Sequence, residues 1–155
     1  MKISLGCDHG GYSLKAEIVS LLKERGDSVI DRGTSGPGSV DYPDFALPVA
    51  RDVTEGRAEF GILICGTGIG MAMTANKVRG IRAANVSDVY SARMSRLHNN
   101  ANVLALGARV IGPGLAREIV EVFLSTPFEG GRHERRVGKI ADAERLGSQG
   151  GESNA

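Results

Sequence analysis

Cys65 and the five residues after it, Gly66, Thr67, Gly68, Ile69 and Gly70, form the stretch best suited to chemistry in this chain. A cysteine becomes a base or nucleophile as its thiolate. Three glycines in five positions let the backbone turn tightly and approach a ligand, and unpaired N–H groups at the start of a following helix point at negative charge. The run therefore predicts an anion site with Cys65 on its lip, where the positive end of a helix favours the thiolate. A buried, inert thiol is the plainer alternative. Asp8 and His9 are the next polar candidates, because they follow the first apolar run directly; Asp8 could equally cap the first helix, as Thr67 could the third.

Positioning these groups requires alternating elements. Ile62-Leu63-Ile64 reads as a strand buried on both faces, and Met71 to Lys77 as the helix beyond the glycine loop. Lys2 to Gly6 forms a first strand, and Leu14, Ile18, Leu21 and Leu22 recur at helical spacing before Gly26. Ser28 to Ile30 is a second strand, followed by a turn-rich loop from Asp31 to Asp41. Asp41 to Asp44 opens a helix with Phe45, Val49 and Val53 on one face, closed by Gly56. Ile81 to Asn85 is a strand, Asp88 caps a helix from Val89 to His98, and Val103 to Leu106 is the last strand. Helices from Leu115 to Leu124 and from Arg132 to Leu146 complete the pattern. The fold class is α/β: a Rossmann-like three-layer α/β/α arrangement with a mostly five-stranded parallel sheet. In such sheets ligands gather at the carboxyl ends of strands, where Asp8, His9, Cys65, Gly66 and Thr67 fall.

The loop departs from the dinucleotide fingerprint. Its third glycine comes one residue early, Met71 holds the fingerprint position, and the loop follows the third strand rather than the first.

At 155 residues, one domain over 1–146 is expected, with a disordered tail over 147–155 that has little to bury. Lysine plus arginine number 19 against 18 acidic residues, net +1, which gives no electrostatic case for nucleic acid. The chain lacks an apolar run of about 18 residues, so no membrane span is expected, and without a recognisable leader it reads as cytoplasmic. Cys7 and Cys65 read as reduced thiols, and neither has metal-ligand spacing with His9, His98 or His133.

Several segments resemble the type B ribose-5-phosphate isomerases, a group that also contains galactose-6-phosphate isomerase subunits and allose-6-phosphate isomerases. They are Gly6-Cys-Asp-His9, Asp41-Tyr-Pro43, Cys65-Gly-Thr-Gly-Ile-Gly70, Ala75-Asn-Lys77, Gly80-Ile-Arg-Ala83, Tyr90-Ser-Ala92, His98-Asn99, Asn102-Val-Leu-Ala105 and Glu129-Gly-Gly-Arg-His133. The resemblance implies aldose–ketose isomerisation of a sugar phosphate through an enediolate, with no metal and no organic cofactor. By similarity Cys65 is the base, and Thr67 with the backbone of Gly66, Gly68, Ile69 and Gly70 holds the oxyanion. His98, followed by Asn99, opens the furanose ring, although a histidine at a helix end can be only a cation on the dipole. Asp8 and Tyr42 face the sugar, and His9, Arg132 and Arg136 take the phosphate, with Arg109 a further candidate. Arg132 and Arg136 are four residues apart and share a helical face. The resemblance also implies a homodimer, or a dimer of dimers, in which the last helix packs on a partner and His98 and the late arginines act across the interface. A subgroup of the family places a glutamate base where this chain has Met71, so the chain resembles the cysteine-using type. A six-carbon substrate, allose 6-phosphate or galactose 6-phosphate, and a non-catalytic sugar-phosphate-binding subunit are the alternatives.

Overall fold

The computed structural model describes residues 1–149. Five strands, β1 (Lys2–Cys7), β2 (Ser28–Asp31), β3 (Phe60–Cys65), β4 (Ala83–Asn85) and β5 (Val103–Gly107), form one sheet in the order β2-β1-β3-β5-β4. Every pairing is parallel. The order reverses direction around β1 and β3, which makes their carboxyl ends the crevice where a ligand is expected.

Six helices accompany the sheet: α1 (Tyr12–Glu24), α2 (Pro43–Thr54), α3 (Ile69–Ala75), α4 (Val89–Leu97), α5 (Pro113–Ser125) and α6 (Arg132–Gln149), the last largely exposed. Alternation along the strands sorts them into two layers. Ile62 and Ile64 of β3, with Ile3, Leu5 and Cys7 of β1, pack under α1 and α5. Leu63 and Cys65 point the other way, into the cluster of Val49, Met71 and Ala75 from α2 and α3. The predicted three-layer architecture is therefore present. The same alternation puts Cys7 and Cys65 on opposite faces, and both are free thiols. Burial pushes the Cys7 thiol up to about 11, which suits a packing role.

Element ends differ from expectation where side chains intervene. α3 begins at Ile69, two residues early, and stops at Ala75 because the Asn76 amide turns back to bond both the N–H and the carbonyl of Ala83. β4 starts at Ala83 rather than Ile81; Ile81 is buried among α2 and α3 residues, and the Arg82 N–H donates to the Asn102 side chain at 2.8 Å. α5 starts at Pro113, whose missing N–H costs nothing at a first turn. α6 continues to Gln149, three residues past its expected end. The rest of the segment expected to be a tail, 150–155, lies outside the described residues.

Candidate active site

At the end of β1 the Asp8 N–H donates to the Ile64 carbonyl at 3.2 Å, which ties this corner to β3. The buried Asp8 carboxylate accepts from the Gly11 N–H at 3.1 Å, so it meets the chain entering α1. His9 is held from the side: its Nδ1 accepts from the Val40 N–H at 3.2 Å. The glycine-rich loop after β2 thereby fixes this ring, and its neutral form carries the proton on Nε2.

Cys65 ends β3 with 6 % of its surface exposed. Its Sγ accepts from the Gly68 N–H at 3.0 Å, a donor aimed at the atom that would carry negative charge. Gly68 has φ 81°, and a Cβ there would stand 2.4 Å from Asn85 Oδ1 and 3.0 Å from the Leu106 backbone. Both the backbone geometry and the space demand glycine. Thr67 Oγ1 accepts from the Ile69 N–H at 3.2 Å. Two donors expected to face an oxyanion, those of Gly68 and Ile69, are thus engaged within the loop itself.

Arg109 and Tyr42 close over this loop. The Arg109 N–H donates to the Gly66 carbonyl at 3.0 Å, and its guanidinium lies where a Cβ on Gly66 would come within 3.2 Å. The Tyr42 ring rests on Gly70, 2.9 Å from where a Cβ would be. Asp8, His9, Tyr42, Cys65 to Gly70 and Arg109 therefore converge at the carboxyl edge of the sheet. Met71 is fully buried in the α2/α3 core and turned away from that edge.

The remaining candidates assemble elsewhere. His98 caps the end of α4, a helix that runs back from the carboxyl edge to the amino edge, where β5 begins. Asn99, Arg136 and His133 share a pocket of about 230 Å³ with it. Arg132 Nε lies 3.4 Å from His133 Nε2. The length of β5 separates this group from Cys65, which pairs with Gly107 at its far end; a rise of about 3.3 Å per residue makes that roughly 13 Å along the strand. The sequence candidates thus fall into two groups on opposite edges of the sheet.

Glu129 and His133 belong to a family-like segment of the sequence that assigns them no role. The two rings His98 and His133 are stacked, with centroids 4.1 Å apart and planes 9° from parallel. Glu129 approaches both Nε2 atoms, at 3.8 and 3.5 Å. The available signal was the i, i+4 spacing of Glu129 and His133 across two glycines. Among the described residues this trio is also the one set of donors, all within 4.8 Å of one another, that could surround a cation. Arg132 and Arg136 place positive charge at the same spot, so the pocket suits an anion better.

A sequence model of the Ribose/Galactose Isomerase family matches residues 3–140. Ribose-5-phosphate isomerase B of Escherichia coli is 52% identical over 92% of this chain and 96% of its own. The structure of Clostridium thermocellum ribose-5-phosphate isomerase B superposes with a TM-score of 0.93 at 58% identity, covering 94% of this chain and 99% of that one. A Mycoplasma genitalium ribose-5-phosphate isomerase B with bound ribulose-5-phosphate gives a TM-score of 0.89 at 44% identity, over 93% and 96%. With nine-tenths of its length matched in sequence and in fold, the chain belongs to the ribose/galactose isomerase family.

Proposed function

We propose that the protein interconverts ribose 5-phosphate and ribulose 5-phosphate without metal or organic cofactor. The observation that carries this reading is the Cys65 sulfur, set at the topological switch point with the Gly68 N–H directed at it from 3.0 Å. The family relatives named for this reaction, and the one solved with ribulose-5-phosphate bound, support the choice of substrate.

Ribose 5-phosphate is a closed furanose and must open first. His98 gives a proton to the ring oxygen O4 as the C1–O4 bond breaks, and the Asp8 carboxylate accepts the proton of the anomeric hydroxyl, leaving an aldehyde at C1. Cys65, as thiolate, then removes the proton on C2. The electron pair becomes the C1–C2 double bond, and the charge moves to O1, facing the Thr67 hydroxyl and the loop N–H groups other than those of Gly68 and Ile69. Returning the proton to C1 while the O2 proton passes to O1 leaves the ketone at C2. Tyr42 and Asn99 hold sugar hydroxyls. His9, Arg132 and Arg136 bind the phosphate, and Arg109 reaches in over Gly66.

Because His98 and Cys65 lie on opposite edges of one sheet, the complete site needs a second copy of the chain. We infer a homodimer with each site shared, whether or not two dimers associate further. α6 is the element that would seat on the partner: among its described residues only His133 is buried, and Ile140 and Leu146 are exposed at 49 and 71 %. No described helix is long and apolar enough to cross a membrane, and two free thiols fit a reducing cytoplasm.

The test is an isomerisation assay without added metal, comparing ribose 5-phosphate with allose 6-phosphate and galactose 6-phosphate. Fastest turnover on ribose 5-phosphate is expected. Preference for a six-carbon phosphate would keep the mechanism and reassign the substrate; no turnover on any would leave a binding subunit.

A further inference from the structure

Glu129 and His133 have no task in the reaction as written, yet the turn that carries them is built around His98. Gly130 and Gly131 have φ of 70° and 56°, a double left-handed bend that side-chain-bearing residues adopt poorly. It returns the chain so that the Glu129 N–H donates to the Leu97 carbonyl at 3.1 Å. The end of α4 is thereby fastened to the start of α6. Across this join His133, 4 % exposed, lies flat against the His98 ring at 4.1 Å. The His98 side chain is 37 % exposed, and the Glu129 carboxylate stands 3.8 Å from its Nε2, beyond hydrogen-bond reach. The face of His133 thus lies parallel to the His98 ring and in contact with it.

The two rings are not equivalent. Burial above all, then the charges of His98, Arg132 and Arg136, lower the pKa of His133, against an opposing pull from Glu129. Its Nε2 accepts from Arg132. His133 is the neutral partner, and a neutral aromatic face attracts a cation placed over it.

We propose that His133 is a positioning residue for ring opening: a buried aromatic platform that holds the His98 ring in the plane from which it meets the ring oxygen of a sugar bound by the partner copy. The inference rests on reading His98 as the ring-opening acid. His133 itself moves no proton.

Three variants and an isotope effect test it. His133→Ala removes the platform, and turnover on ribose 5-phosphate should fall by about tenfold or more while KM shifts by less than about threefold. His133→Phe restores an aromatic face that cannot ionise, and should recover turnover to within about threefold of the unmodified protein. Should the alanine cavity unfold the protein in a thermal melt, His133→Gln, similar in reach but not aromatic, carries the same expectation as His133→Ala. With ribose 5-phosphate deuterated at C2, the isotope effect on turnover should be near unity in the impaired variant, because ring opening limits the rate. Undiminished turnover in His133→Ala, a His133→Phe as impaired as His133→Ala, or a large isotope effect persisting in a slowed variant would each overturn the platform. A protein inactive on ribose 5-phosphate before any substitution would instead remove the reading beneath it.

Discussion

At the scale of single residues, the proposed reaction turns on one sulfur. Cys65 is almost fully buried, yet its Sγ faces a backbone donor rather than a hydrocarbon wall on all sides. Cys7, one strand away, has burial as its dominant influence and a raised pKa. Two thiols of the same chain thus have different surroundings, because one ends β3 beside a glycine loop and the other points into the α1/α5 core. Cys65→Ala is expected to lower turnover by about 10²- to 10⁴-fold, the usual worth of a placed base, with substrate binding kept. A near-normal rate measured with ribose 5-phosphate would remove Cys65 from the role of base. Cys7→Ala should leave the rate within about twofold, since its side chain faces the opposite layer.

At the scale of elements, two contacts keep α2 against β1 and the α4 helix capped. Asp52 of α2 is wholly buried and accepts from Ser4 Oγ at 2.7 Å, Arg32 Nε at 2.9 Å and Arg57 Nε at 2.7 Å. It joins β1, α2 and the segments after β2 and α2 into one frame. Burial alone would push its carboxyl up, but Arg32, Arg57 and Ser4 together hold it well below the usual carboxylate range. A carboxylate with a depressed folded pKa contributes its full stabilisation above its unfolded pKa of about 3.9 and loses it as the pH falls further. Asp52→Asn should therefore cost about 2 kcal/mol at neutral pH, less than a fully buried pair because both guanidiniums are half exposed. In urea titrations at several pH values, the gap between the two proteins should narrow below about pH 4. Asp88 caps α4 through Oδ1, 2.7 Å from the Ser91 N–H. Asp88→Ala should lower stability by about 1 kcal/mol in the same titration, and leave turnover near normal because His98 sits at the other end of the helix.

At the scale of the whole molecule, the decisive feature is the separation of the two candidate groups. Cys65 aligns with the last residue of β5, while His98 precedes its first. If a site is built from Cys65 of one copy and His98 of another, then mixing the inactive variants Cys65→Ala and His98→Asn should restore activity. Random reassortment of a twofold dimer leaves about a quarter of the sites intact, so recovery toward that fraction after denaturation and refolding together is expected. No recovery would place both groups in the same subunit's site.

The sequence by itself determined the alternation of strands and helices, the glycine loop after β3 and the polar candidates at the carboxyl ends. These follow from signals that act over a few residues: β-branched runs, helical spacing, and glycines where the backbone must turn. Asp88 was legible as a cap for the same reason, and so were Gly26 and Gly56, both with positive φ. Several boundaries moved by one to three residues because partners distant in the chain intervened, as Asn102 does for Arg82. The tertiary structure alone decided which residues meet. Asp52 with Ser4 and Arg32, and His133 with His98, are pairs brought together across 20 to 48 residues, and no local pattern encodes such a contact. It also decided which edge of the sheet each candidate occupies. That depends on the direction in which every helix returns across the sheet, and it separates Cys65 from His98 in one copy of the chain.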